Sequence, residues 1–312
     1  VIMKLRTITA NDKRLPYFTI AKPMLNPLSL LPVAFGQAFY RQTLKRTPEP
    51  EVMDSPESVA QYEDADKSKL AIVYAAVLDR VHRMKTKSSG GRAIDLCCGP
   101  GHFTLMLAKY FNFDEVIGVD RSDRMLENAR KRIDQAEMGT RVKFVKANAT
   151  DVPFESNSFD VVTCNDAAHH LPNLKVVREL ICEMERLSSA TGICVLSDLV
   201  RLKTERITEL YTKTLGEDYP PMFYNDFCNS MRAAWTETEL ASAIPNQPTR
   251  TWYHQRQSLV PTVQLLLGNM SEVNAFVRRS PNWLADAAGK NYKRDLRLSN
   301  ILSKAPRRVK TR

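Results

Sequence analysis

Asp95-Leu-Cys-Cys-Gly-Pro-Gly101 sets a carboxylate, two thiols and two glycines within seven residues. Residues 92–98 form an apolar run expected to be a buried parallel strand, and His102-Phe-Thr-Leu-Met-Leu-Ala108 begins a helix directly after the glycines. A strand that enters a helix through a glycine turn cradles a nucleoside or a phosphate, because the backbone must turn sharply and approach the ligand without a Cβ in the way. A second apolar run, Val116-Ile-Gly-Val-Asp120, ends in a carboxylate that can accept both hydroxyls of a ribose. Glycine loop and ribose carboxylate together point to an adenosine-containing ligand.

A dinucleotide site would carry G-x-G-x-x-G at this loop. Here His102, Phe103 and Thr104 follow Gly101, so the third glycine is missing. Asp95 would also repel a pyrophosphate, whereas an ammonium and a sulfonium would be attracted to it. S-adenosylmethionine therefore suits the loop better than NAD.

The loop resembles motif I of the class I S-adenosylmethionine-dependent methyltransferases, with Cys97 in place of the first glycine. The resemblance covers roughly residues 50–258 and is closest in kind to the small type 11 group. It continues through Val52–Tyr62, Gly118-Val-Asp120, Val145–Phe154, Ser158-Phe-Asp160, His169-His-Leu-Pro172, Asp198–Arg201 and Asp226–Thr236. It implies an α/β, Rossmann-like fold: a seven-stranded, mostly parallel sheet with helices on both faces. Asp95, Cys97 and the Gly99–Gly101 backbone would hold the methionine end, Asp120 the ribose, and Arg121 would lie beside the adenine. Asn148 and Ala149 would read the adenine amino group, although the family usually has Asp at the first of these positions. Asn165 would line the methyl-transfer side, and His169 is a candidate general base.

Other chemistries fit less well. His169 and His170 are adjacent, a spacing expected to point them apart, and no Cys or Asp lies at ligand spacing, so no metal site is expected. Cys164 lacks the proline-cysteine setting of cytosine-C5 chemistry and is expected to be a buried strand residue. Residues 165–168 (Asn-Asp-Ala-Ala) lack the Pro-Pro-aromatic run that clamps a flipped adenine. Phe227 and Trp235 could stack on a substrate, with core packing the stronger expectation.

The 312 residues, 43% of them hydrophobic, suffice for one α/β core with appendages. Expected divisions are a basic extension over 1–50, a methyltransferase domain over 51–268 with a helical cap at about 201–240, and a basic extension over 269–312. Six scattered cysteines suggest a reducing intracellular compartment, either cytoplasm or mitochondrial matrix. A first residue of Val instead of Met would suit a processed organellar protein. Leu25–Phe39 is apolar but is interrupted by Pro27 and Pro32, so it should pack on the protein and not cross a membrane.

Charge is segregated. Residues 1–50 carry eight Lys/Arg against two Asp/Glu, and residues 251–312 carry twelve against three, leaving the body mildly acidic. Arms of this kind suit a phosphate-rich partner such as rRNA or a ribonucleoprotein particle. Three readings follow. The chain could be an active methyltransferase acting on a small molecule or on RNA. It could be a catalytically degenerate structural or assembly factor of a (mitochondrial) ribosome. Or it could be a methyltransferase whose arms dock a protein.

Overall fold

Parallel strands at the centre of a sheet are covered on both faces, so their sequences run apolar without alternation. β1 (Arg92–Leu96) and β2 (Glu115–Asp120) follow this rule, with every interior residue buried. A computed structural model describes residues 28–41, 43–49, 71–85, 90–217, 219–256, 262–269, 280–287 and 305–310. The Val52–Tyr62 segment of the resemblance and the basic stretches 1–27 and 288–304 lie outside the described residues.

Crossover helices link the parallel strands. After α1 (Leu31–Phe39) and the helical residues 71–84, here α2, come β1, α3 (His102–Tyr110), β2, α4 (Asp123–Gln135), β3 (Val142–Lys146) and β4 (Phe159–Asn165). A short 3-10 turn, Ala168–His170, precedes α5 (Leu174–Leu187), which passes straight into β5 (Ser188–Leu199). The cap comprises α6 (Glu205–Leu215), α7 (Pro221–Ala233) and α8 (Glu237–Ser242). An antiparallel pair, β6 (Thr251–Arg256) and β7 (Val263–Asn269), then closes the sheet, followed by α9 (Leu284–Ala287) and β8 (Arg307–Arg308).

The strand order is β3-β2-β1-β4-β5-β7-β6-β8, eight strands where seven were expected. β8 is the addition. It pairs antiparallel with β6 through Tyr253–Arg308 and His254–Arg307, and the Val309 N–H donates to the Trp252 carbonyl at 2.9 Å. Two exposed arginines carry no apolar alternation, so the sequence pattern marks this stretch as tail and not strand. Parts of both expected extensions are thus built into the same body. α1 packs on α6 so closely that a Cβ on Gly36 would lie 2.5 Å from Ile207 Cγ2.

One apolar core lies between the sheet and α2–α4, around Leu78, Phe103, Leu107 and Ile133. A second lies beneath α5 and α8, around Leu180, Met184, Leu240 and Trp252, and a third joins α1 to the cap around Val33, Ile207 and Met231. Phe227 and Trp235 are core residues: Phe227 packs with the cap around Tyr211, and Trp235 donates its indole N–H to Ala168 O at 2.8 Å.

Phe144 on β3 reaches across the sheet toward the glycine loop. A Cβ on Gly118 would lie 2.6 Å from its ring and 2.9 Å from Cys98 Sγ, and one on Gly101 would lie 2.9 Å from the same ring. Gly118→Ala is therefore expected to cost about 1–3 kcal/mol through overpacking. A lowered midpoint in urea with an unchanged slope is the expected readout.

Candidate functional site

β1, β2, β3 and β4 all deliver their C-terminal ends to one edge of the sheet, where a crevice opens in folds of this topology. A cavity of about 410 Å³ occupies that edge. Its wall includes Asp95, Cys97, Gly99, Asp120 and Arg121, together with Asn148 and Ala149 from the loop after β3 and Asn165 at the end of β4. Two expected site residues are not in the wall. Gly101 starts α3 in a left-handed conformation (φ 78°), and His169 is buried behind the wall.

The loop after β1 turns through three left-handed residues, Cys97 (φ 55°), Gly99 (φ 51°) and Gly101. Cys97 adopts this backbone without being glycine, at a cost of roughly 1–2 kcal/mol. Asp120 fixes the loop: its Oδ2 accepts from the Gly99 N–H at 2.8 Å and its Oδ1 from the Ser122 N–H at 2.9 Å. Ser122 in turn caps α4 by accepting from the Met125 N–H at 3.2 Å.

Asp95 is buried. Its Oδ2 accepts from the Thr104 hydroxyl at 2.8 Å, and its Oδ1 accepts from the Thr163 hydroxyl at 2.8 Å and from Asn165 Nδ2 at 3.4 Å. Burial pushes its carboxyl up to about 6, and these three donors restrain the rise. The thiols are quiet. Burial, with Asp120 and Asp95 nearby, pushes Cys98 well up, and a hydrogen bond with Cys97 followed by burial does the same for Cys164.

At the far end of the cavity the wall consists of Asp166, Ala167, His170, Leu171 and Pro172. His169 and His170 do not point apart as their adjacency suggested. The 3-10 turn sets their rings 4.3 Å apart at 38°, and both face Glu49. His169 Nε2 lies 3.9 Å and His170 Nδ1 3.4 Å from Glu49 Oε2, while His169 Nδ1 meets Asp198 Oδ1 at 2.6 Å. Burial opposes the charge on His169, but Asp198 outweighs it and raises the imidazole to about 9. Burial raises Glu49 to about 7, against the pull of His169.

Glu49 arrives on the segment 43–49, held by two arginines. Arg46 donates to the carbonyls of Ala233, Pro172, His169 and Leu171 at 2.7–3.0 Å, with its guanidinium 3.8 Å from the Trp235 ring centre. Arg201 donates to Leu44 O at 2.8 Å and to Ala234 O at 2.7 Å, and pairs with Glu239. Arg46→Ala is expected to cost about 2–4 kcal/mol, because it strands several half-buried carbonyls. Thermal unfolding would show a drop of several degrees, with Arg46→Lys recovering only part of it.

Wall residues to which the sequence assigned no site role include Tyr74, Met125, Thr150, His170, Leu171 and Glu179. Met125 could have been found from its place in the first turn after Asp120. Tyr74 lies on α2, and nothing in the sequence of that helix singles it out. The fit to S-adenosylmethionine rests on buried acceptors. Asn165 Oδ1 is buried with no hydrogen-bond partner among the described residues, and it stands beside the Asp95 carboxylate. Together they suit an ammonium group, and Asp120 suits a ribose diol.

A family model described as "Methyltransferase domain" matches residues 87–257. Curated relatives include a demethylmenaquinone methyltransferase of Lactiplantibacillus plantarum, 39% identical over 87 residues, covering 28% of this chain and 37% of the relative. One from Staphylococcus aureus (strain JH9) is 36% identical over 107 residues, covering 34% and 42% respectively. The chain thus spans about two-fifths of the length of the curated relatives it matches. Among solved structures, the plantazolicin methyltransferase in complex with SAH superposes with a TM-score of 0.52 at 12% identity, covering 70% of this chain and 91% of that one. A Methanococcus maripaludis protein described as an S-adenosyl-L-methionine-dependent methyltransferase gives a TM-score of 0.50 at 16% identity, covering 73% and 98%. With motif, fold and family model in agreement, the chain belongs to the S-adenosylmethionine-dependent class I methyltransferases.

Proposed function

We propose that this methyltransferase acts on a small organic acceptor with an apolar, planar body, admitted at the His170–Pro172 end of the cavity. The observation that carries this reading is the charge of the wall. Among the described residues, Asp95, Asp120, Asp166 and Glu179 line it against Arg121 as the one arginine, and no lysine lines it. Such a field repels a polyanion and tolerates a neutral acceptor. Ala167, Leu171, Pro172 and Val176 supply apolar surface. The name carried by the curated relatives, demethylmenaquinone methyltransferase, supports an acceptor of this class.

When bound, S-adenosylmethionine supplies an electrophilic methyl group on a sulfonium. Asp95 and Asn165 would hold the ammonium end, Asp120 the ribose, and Asn148 with Ala149 the adenine edge. Such chemistry needs chiefly alignment and exclusion of water, so few side chains need take part in bond making. Attachment to RNA through residues 1–50 and 269–312 is the second reading, favoured by the positive charge of those segments. Incubation with methyl-labelled cofactor and a short-chain demethylmenaquinone kept chemically reduced to its quinol, the nucleophilic form, should transfer label to the solvent-extractable fraction. Label appearing instead in added RNA, and lost on nuclease treatment, would replace the first reading with the second.

A further inference from the structure

We propose that Glu49, His169 and His170 form a binding site for a divalent transition-metal ion at the acceptor end of the cavity. The ligand atoms, one carboxylate oxygen and two imidazole nitrogens, all lie within 4.8 Å of one another. Around an ion bound at about 2.0–2.2 Å, neighbouring ligand atoms sit roughly 3.0–3.5 Å apart. The Glu49–His170 pair, at 3.4 Å, already meets this spacing, and the Glu49–His169 pair, at 3.9 Å, needs only a small rotation.

Three features besides proximity suggest a built site. First, Asp198 takes the Nδ1 face of His169 at 2.6 Å, which leaves Nε2 turned toward Glu49. A carboxylate behind a histidine in this way fixes tautomer and ring orientation for metal ligation. This also decides between the two clusters in which His169 takes part: Nδ1 is engaged by Asp198, so Glu49 and His170 are the partners for Nε2. Second, the Arg46 guanidinium holds the carbonyls of His169 and Leu171, so the turn that presents both rings is clamped from outside. Third, the second oxygen of Asp198 is buried with no hydrogen-bond partner among the described residues, so this corner concentrates negative charge.

Two imidazoles and one carboxylate favour zinc, iron, cobalt or nickel over magnesium or calcium. Three protein ligands leave coordination positions open, and His170 borders the cavity. On the reading that the acceptor enters at this end, its hydroxyl oxygen would occupy one of them. The metal lowers the pKa of that hydroxyl, and its proton passes to water. The electron pair of the oxygen, or of a ring carbon conjugated with it, forms the bond to the methyl carbon. Where carbon attacks, the proton on that ring carbon is then lost to water, which restores the aromatic ring. The carbon–sulfur bond breaks toward sulfur, releasing S-adenosylhomocysteine.

The test is titration of the untagged, chelator-treated full chain with Co²⁺, following its visible ligand-field bands. One equivalent should saturate them. Glu49→Gln and His170→Ala should each weaken Co²⁺ binding by roughly tenfold to a hundredfold, with the thermal unfolding midpoint close to that of the parent. Glu49→Gln is isosteric and decides the matter should His170→Ala fail to fold. Asp198→Asn should weaken binding through His169 without altering the one-to-one stoichiometry. Absent bands, or bands of equal affinity in the parent and Glu49→Gln, would overturn the site and leave Glu49 and His169 as a structural ion pair. S-adenosylmethionine binding, measured by calorimetry without metal, is independent of the outcome, so failure of the metal site is distinguishable from failure of the methyltransferase reading.

Discussion

Asp95→Asn is expected to stabilise the ligand-free protein at pH 8 by up to roughly 3 kcal/mol while weakening S-adenosylmethionine binding at least a hundredfold. The first effect follows from linkage. Burial raises the folded-state pKa of Asp95 from 3.8 to about 6, so between those values the folded state holds more protons than the unfolded state. Stability from this group therefore falls as pH rises from about 4 to 6, and above pH 6 the full cost persists, on the order of 3 kcal/mol. Asparagine carries no charge to desolvate, and its amide oxygen can still accept from Thr104 or Thr163. The second effect has the opposite sign. An ammonium is held by the charged carboxylate, so cofactor affinity should rise as pH increases through 6. Urea unfolding and calorimetry across pH 4.5–8 should show the two slopes diverging in the parent. The difference between parent and Asp95→Asn isolates this residue from Glu49, which also titrates in that range. Parallel slopes, or a variant that binds cofactor as well as the parent, would remove Asp95 from the site.

Asp120→Ala should weaken cofactor binding by a factor of about 10²–10⁴. Two ribose hydroxyls donating to one carboxylate contribute about 1.5–3 kcal/mol each. The same carboxylate also accepts the Gly99 and Ser122 N–H groups, so the truncation frees the glycine loop along with the start of α4. A loss of about 2 kcal/mol in stability should accompany the lost affinity. Asp120→Asn separates the two roles: its amide oxygen can still accept from Gly99, while its NH₂ would face the Ser122 N–H. Intermediate affinity in that variant would establish that the carboxylate both orders the loop and holds the ribose. Full retention of binding by Asp120→Ala would exclude both.

The cofactor end of the site was legible because each of its residues belongs to an element with a local signal. Asp95, Asp120 and Asn165 end or occupy apolar strands, and a parallel sheet brings those strand ends to one edge whatever the rest of the chain does. The acceptor end was not legible. Glu49 approaches His169 and His170 across some 120 residues of sequence, along a segment fixed by side chain to carbonyl bonds that leave no periodic trace. The histidine pair was misjudged because an extended backbone points neighbours apart, whereas the 3-10 turn at Ala168–His170 brings their rings onto one side. Asp198 read as one more motif residue at a strand end, and its bond to His169 shows only once β4 and β5 lie side by side.

The eighth strand also bears on crowding. An open sheet edge is a template on which another chain can add, and β6, with Trp252 and Tyr253 in its sequence, would be such a template if left bare. Arg307 and Arg308 cover part of that edge with a two-residue strand whose side chains stay in solvent. At the opposite edge β3 exposes Lys143 and Lys146, which are tied to Glu115 and Asp123. Both borders of the sheet thus present cationic, strongly hydrated side chains to any approaching strand. Part of the basicity that reads in the sequence as affinity for a polyanion thus lies along the two borders of the sheet, where charged, hydrated side chains disfavour the addition of another strand.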